Sequence, residues 1–141
     1  MSVEPDAWAE FVARGEPHGL EPRLANAVEF ARTSRVLLLR HRPTGLDVDV
    51  TLAGLPFEEA ALRRSVNAEV EGLDLRLASP GDLVIMKAVA RRPQDLSDIE
   101  GLLDQHPELD IDRVMDQLRE FSAVLGPELL DDFLELLRRR R

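Results

Sequence analysis

Cysteine is absent from this 141-residue chain, which excludes disulfides and thiolate metal sites. The three histidines, His18, His41 and His106, stand too far apart in sequence for metal-ligand spacing, so no zinc motif is present. No G-x-S-x-G, Walker A or G-x-G-x-x-G pattern occurs, which removes the commonest signatures of acyl transfer and of P-loop or dinucleotide binding. No apolar run approaches the ~20 residues that span a bilayer. The opening "MSVEPDAWAE" is acidic and polar, unlike a secretory signal, so the expected location is cytoplasmic. Positive charge is in deficit too. The formal net charge is −9, and an acidic surface repels phosphate backbones, which counts against a general nucleic-acid binder. Basic residues cluster locally all the same, at "RTSR", "RHR", "KAVARR" and the terminal "RRRR".

What is present is ordinary for a folded chain: 32% charged and 44% apolar residues, enough for one domain with a core. Residues 5–14 read as a helix started by Pro5 or Asp6, with Trp8, Phe11 and Val12 on one stripe. Residues 24–32 read as a second helix, with Leu24, Val28 and Ala31 on one side. The period then changes. "RVLLLRH", 35–41, suits a strand buried on both faces, "RPTG" is turn chemistry, and "LDVDVTLA", 46–53, alternates strictly. Together they predict a hairpin. Residues 56–65 are helical, 67–78 form a second small hairpin about Gly72, and "SPGD", 79–82, is a capping box opening the helix "LVIMKAVA". Helices follow at 95–106 and twice more to the C-terminus. The last of these carries a Leu129–Leu137 stripe that could also hold a homodimer together. The expected class is therefore α+β, a small mainly antiparallel sheet of two hairpins flanked by helices. Residues 1–106 form the α+β part and 107–141 a helical extension packed on it.

Three groups could carry chemistry. Asp47 and Asp49 lie at i and i+2 on a strand, so they share a face with Cα atoms about 6.5–7 Å apart. Carboxylates converging from there can hold a hard cation such as Mg²⁺; equally, they can be two solvated acids on the open face of a sheet. Lys87 is the one charge among the apolar residues that follow Asp82, so it either snorkels to a surface ion pair or meets a carboxylate or phosphate partner. Arg91, Arg92, Asp95 and Asp98 surround the next helix start, where a helix dipole favours anions and where local pairing with Lys87 accounts for them as well. The second Asp-x-Asp, in "LDIDR" at 109–113, sits at a helix start and is explained by capping.

In this order, "FARTSRVLLLRHRPTGLDVDVTLAGLPFE" and "LRLASPGDLVIMKAVARRPQDLSDIEGLL" resemble the nucleotidyltransferase superfamily, and within it the bacterial group of abortive-infection nucleotidyltransferase toxins. The resemblance covers roughly residues 11–104. It implies metal-assisted transfer of a nucleotidyl group from a nucleoside triphosphate, with Mg²⁺ bridging carboxylates and phosphates. It further implies an unknown acceptor, a tRNA, protein or small molecule, and a cognate antitoxin as partner. By position Asp49 matches the family's late acid, with Asp47 beside it as catalytic and metal-binding candidates. Lys87 matches a residue that contacts phosphate or braces the site, and Arg91, Asp95 and Asp98 match its wall. The family's Gly-Gly or Gly-Ser turn and first Asp-x-Asp have no counterpart here: the eight glycines are all isolated from one another. The resemblance therefore implies a chain that is inactive alone, an N-terminally incomplete enzyme or a relative that only binds a nucleotide or a protein.

Overall fold

The computed structural model describes residues 7–70 and 72–140. Among them are seven α-helices and five strands, an α+β fold with two small antiparallel sheets. The chain divides into two compact units, residues 1–59 and 60–141, with the division inside helix α3 (Pro56–Arg63). The expected boundary at 106/107 falls between two helices of the second unit.

In the first unit, α1 (Ala7–Gly15) leads through a 3-10 turn, Glu16–His18, to β1 (Leu20–Pro22). The start expected at Pro5 or Asp6 lies outside the described residues. Helix α2 (Ala27–Ser34) begins later than its sequence stripe suggested, so Leu24 precedes it and stays at the surface. It ends at Arg35, whose positive φ of 63° lets its N–H reach the carbonyl of Ala31. Strands β2 (Val36–His41) and β3 (Leu46–Thr51) pair antiparallel with the register Leu37↔Val50, Leu39↔Val48, Leu38↔Asp49 and Arg40↔Asp47. Since β1 pairs on the other edge, β2 is central. Pairing by twos places Leu37, Leu39, Val48 and Val50 on one face. That face packs on Trp8, Ala27 and Ala31 to make the unit's core. Leu37 and Leu39 are fully buried, each worth about 1.5–3 kcal/mol on transfer from water. Val36 and Leu38, on the other face, are half-buried. The expected Trp8–Phe11–Val12 stripe holds for Trp8 and Val12 but not for Phe11, which is exposed.

The second unit is mostly helical. A hairpin of β4 (Val66–Val70) and β5 (Leu73–Leu77) precedes α4 (Pro80–Ala90). Helices α5 (Asp95–Gln105), α6 (Ile111–Leu125) and α7 (Glu128–Arg139) surround α4. The capping box is formed: the Asp82 N–H donates to Ser79 Oγ at 3.2 Å, while the hydroxyl returns a bond of 2.6 Å to Asp82 Oδ2. Val84, Ile85 and Ala88 of α4 are buried together with Ile99, Leu103, Val114, Leu118, Leu129 and Phe133. Of the expected C-terminal stripe, Leu129 and Phe133 are buried against neighbouring helices inside this unit, with Leu136 beside them, while Leu130, Leu134 and Leu137 are half-buried. Asp110 caps α6 by accepting the Arg113 N–H at 2.9 Å. Among the described residues no helix is long and apolar enough to cross a membrane.

Candidate functional site

The acidic pair lies on the face of β3 opposite the first unit's core, as period-2 alternation requires. Asp47 and Asp49 are exposed, but neither is solvated alone. Arg40, directly across the ladder from Asp47, donates from Nε to Asp47 Oδ1 at 2.8 Å. Arg23 follows β1 and extends its ladder by one bond, its N–H meeting the Leu38 carbonyl at 3.0 Å. Its guanidinium donates from Nη1 to Asp47 Oδ2 at 2.9 Å and from Nη2 to Asp49 Oδ1. One fork thus bridges both carboxylates, and Asp47 has an arginine on each oxygen. The hydrogen bond from Arg40 holds the Asp47 carboxyl below its ordinary value; burial opposes this, and the charge of Arg23 adds to the lowering. Asp47 is therefore a stable anion at neutral pH, and a general base needs a pKa nearer the working pH.

Lys87 comes out of α4 with its side chain one-quarter exposed. Its Nζ donates to Asp98 Oδ2 at 2.6 Å and to Asp95 Oδ1 at 3.4 Å. The bond to Asp98 raises the lysine's pKa, burial opposes this, and Asp95 adds to the rise. The ammonium is held charged, unlike the depressed lysines that act as nucleophiles or bases. Asp95 is buried, and its other oxygen accepts the Arg92 N–H at 2.9 Å, which ties the connection between α4 and α5 to the start of α5. Arg91 has positive φ, 51°, at the end of α4, and its guanidinium reaches Asp132 of α7 at 2.6 Å. Around these residues lies a recess of about 190 Å³ with Ala88, Leu96, Ile99, Leu129 and Phe133 as its apolar lining. It is smaller than the roughly 300–1,000 Å³ of ordinary ligand pockets. Of its three cations, Lys87 and Arg91 are matched by carboxylates, and Arg92 has no side-chain partner among the described residues.

Sequence reasoning named Lys87, Asp95 and Asp98 and their local pairing, and the structure brings those three together. Asp47 and Asp49 share a face, also as read. Arg23 and Arg40 were missed as their partners. The signal for Arg40 was present: the four-residue turn 42–45 sets the hairpin register and puts residue 40 opposite 47. Arg23 carried no such signal, because it reaches across β2 from the residue that follows β1. Asp82 was read only as part of a cap. It is fully buried, with Arg64 donating from Nη2 at 2.7 Å and Arg113 from Nη1 at 3.0 Å. Burial pushes its pKa up, but the bonds from Arg64, Ser79 and Arg113 outweigh this and hold it at about 2.

The donor set does not fit the expected Mg²⁺ centre. A hard cation wants several oxygens with free lone pairs, whereas three of the four oxygens of this acid pair accept from guanidinium groups. Among the described residues no cluster of three or more aspartate, glutamate, histidine or cysteine side chains could supply the rest. Compared with protein-family models and with curated protein sequences, the chain matches none.

Proposed function

We propose that this chain is a nucleotidyltransferase-like protein that performs no nucleotidyl transfer by itself and works as a binding module for another polypeptide. The observation that carries the reading is the bridging of Asp47 and Asp49 by the single guanidinium of Arg23. A pair so neutralised is a structural tie across the sheet, since a divalent cation has to displace the arginine before it gains two ligands. The pairing of Lys87 with Asp95 and Asp98 points the same way: one ammonium against two carboxylates leaves no net positive charge to receive a triphosphate. The test is a transfer assay with Mg²⁺, each labelled nucleoside triphosphate, and tRNA and protein acceptors. The expected result is no label on any acceptor. Transfer that disappears in Asp49→Ala overturns the reading.

A second reading, a metal-dependent nucleotidyltransferase of a toxin–antitoxin pair, draws on one specific feature. Both acids and Arg40 stay well exposed, and exposed ion pairs are weak and salt-sensitive. Further polypeptide that supplied the missing glycine turn and first acids could therefore recruit Asp49. Asp49-dependent transfer that appears only on adding such a polypeptide would favour this second reading.

A further inference from the structure

The β4–β5 hairpin carries five exposed large apolar residues, Val66, Val70, Leu73, Leu75 and Leu77, more than any other described element of the second unit. Its register pairs Val66 with Leu77, Ala68 with Leu75 and Val70 with Leu73, so one whole face is aliphatic. All five residues of β5 are exposed, Leu73 by 63%, Leu75 by 40% and Leu77 by 43%. A two-stranded ribbon is marginal by itself in water. This one also sets Glu69 directly opposite Asp74, a like-charge pair that weakens it. Among the described residues Asp74 has no hydrogen-bond or ion-pair partner, and the outer edge of β5 pairs with no strand.

The strand "LDLRL" is self-complementary when it runs antiparallel to itself. With Leu75 on a two-fold axis, Leu73 faces the second copy's Leu77, and Asp74 faces the second copy's Arg76, twice over by symmetry. A slip of two residues in either direction sets Asp74 against Asp74 or Arg76 against Arg76, and a slip of one turns leucines onto the charged face. The backbone agrees with this register. The pair Val70↔Leu73 closes a two-residue connection and so exchanges both its hydrogen bonds, as do alternate pairs along the ladder. The N–H and C=O groups of Asp74 and Arg76 therefore point away from β4, toward the open edge. Those are the two residues that this register hydrogen-bonds across the axis.

We infer that β5 is a homodimerisation edge, where two copies of the chain join their hairpins into one four-stranded antiparallel sheet about a two-fold axis at Leu75. This deepens the reading of the chain as a polypeptide-binding module by naming its partner. The two are tested apart, since transfer assays address the acids and mass measurements address the hairpin. Strand pairing supplies partners for the open edge and for Asp74, and it brings the leucine rows of the two copies side by side. The edge is otherwise a liability that folded proteins seldom leave open.

The experiment is sedimentation equilibrium on the full chain, with Asp74→Arg and Arg76→Asp made separately. The wild type is expected to sediment at twice the chain mass. Each single reversal sets two like-charge pairs across the axis and is expected to weaken the dimer roughly tenfold or more. An equimolar mixture of the two variants is expected to recover it as a heterodimer, because Arg at 74 of one chain then meets Asp at 76 of the other, while Arg76 of the first meets Asp74 of the second. Arg76 also donates to the Leu62 carbonyl and to Ser65 Oγ, so its variant is checked by circular dichroism. Asp74→Pro serves as a second probe, since it removes an outward N–H and leaves the ladder to β4 intact; loss of dimer with an unchanged helical signal supports the edge. A wild type that is monomeric at high micromolar concentration overturns the inference, as does a dimer indifferent to both reversals or a mixture that stays monomeric.

Discussion

Replacing Asp82 with asparagine keeps the shape of the buried hub in the first turn of α4 and removes its charge. The wild-type carboxylate is fully buried and accepts from Arg64, Arg113 and Ser79. Breaking a wholly buried pair costs about 3–5 kcal/mol. Here the two arginines keep roughly a third of their side chains in water, so they recover part of their hydration and the expected cost is lower. The proton linkage gives an independent figure. A carboxyl held at about 2 against an ordinary 3.8 contributes about 2 kcal/mol at neutral pH. The sign follows from the direction of the shift: the folded pKa lies below the unfolded one. The contribution is thus complete above about pH 4–5 and is lost as the pH falls toward 2. Urea unfolding followed by far-ultraviolet circular dichroism is the assay. Asp82→Asn is expected to lose about 2 kcal/mol at pH 7, with the difference from wild type shrinking steadily below about pH 4. A loss under about 0.5 kcal/mol at pH 7, within the range of ordinary surface changes, refutes the reasoning. So does a difference that stays constant with pH.

Two further perturbations test the cores and the lysine cluster. Leu37→Ala empties a fully buried position at the centre of the first unit's sheet and is expected to cost about 2–5 kcal/mol in urea unfolding; a change below about 1 kcal/mol would mean that the site collapses freely. Lys87→Met keeps the stem packed but leaves buried Asp95 with only the Arg92 N–H. It is expected to lower stability by about 1 kcal/mol, and a neutral or stabilising result would show that the ion pairs contribute nothing.

The parts of the fold legible in the sequence were those fixed by short-range chemistry. Ser79, Pro80 and Asp82 announce a helix start whatever surrounds them, and the alternation of "LDVDV" fixes which side of β3 holds the acids. Phe11 shows the limit of periodicity: it occupies an apolar helical position, yet the side it faces is uncovered. The C-terminal stripe is a similar case. Leu129 and Phe133 read equally well as an interface or as core, and only the packing of α7 on α4 and α6 decides for core. The acidic pair was ambiguous for a related reason. Strand spacing puts two carboxylates together, but what neutralises them comes from Arg23, which lies 24 and 26 residues away. The self-complementarity of "LDLRL" needs no structure to be noticed; its significance depends on the exposure of every residue in it.

Calorimetric titration of Mg²⁺ together with a nucleoside triphosphate into the wild type, Arg23→Ala and Asp49→Ala tests the acidic strand most directly. If Arg23 holds both carboxylates, the wild type and Asp49→Ala give the same weak or absent heat. Arg23→Ala, with its acids released, is then the variant that gains affinity for the cation. Tight Mg²⁺-dependent binding by the wild type that vanishes in Asp49→Ala would contradict this, and would make the strand a metal site instead of an arginine-tied ribbon.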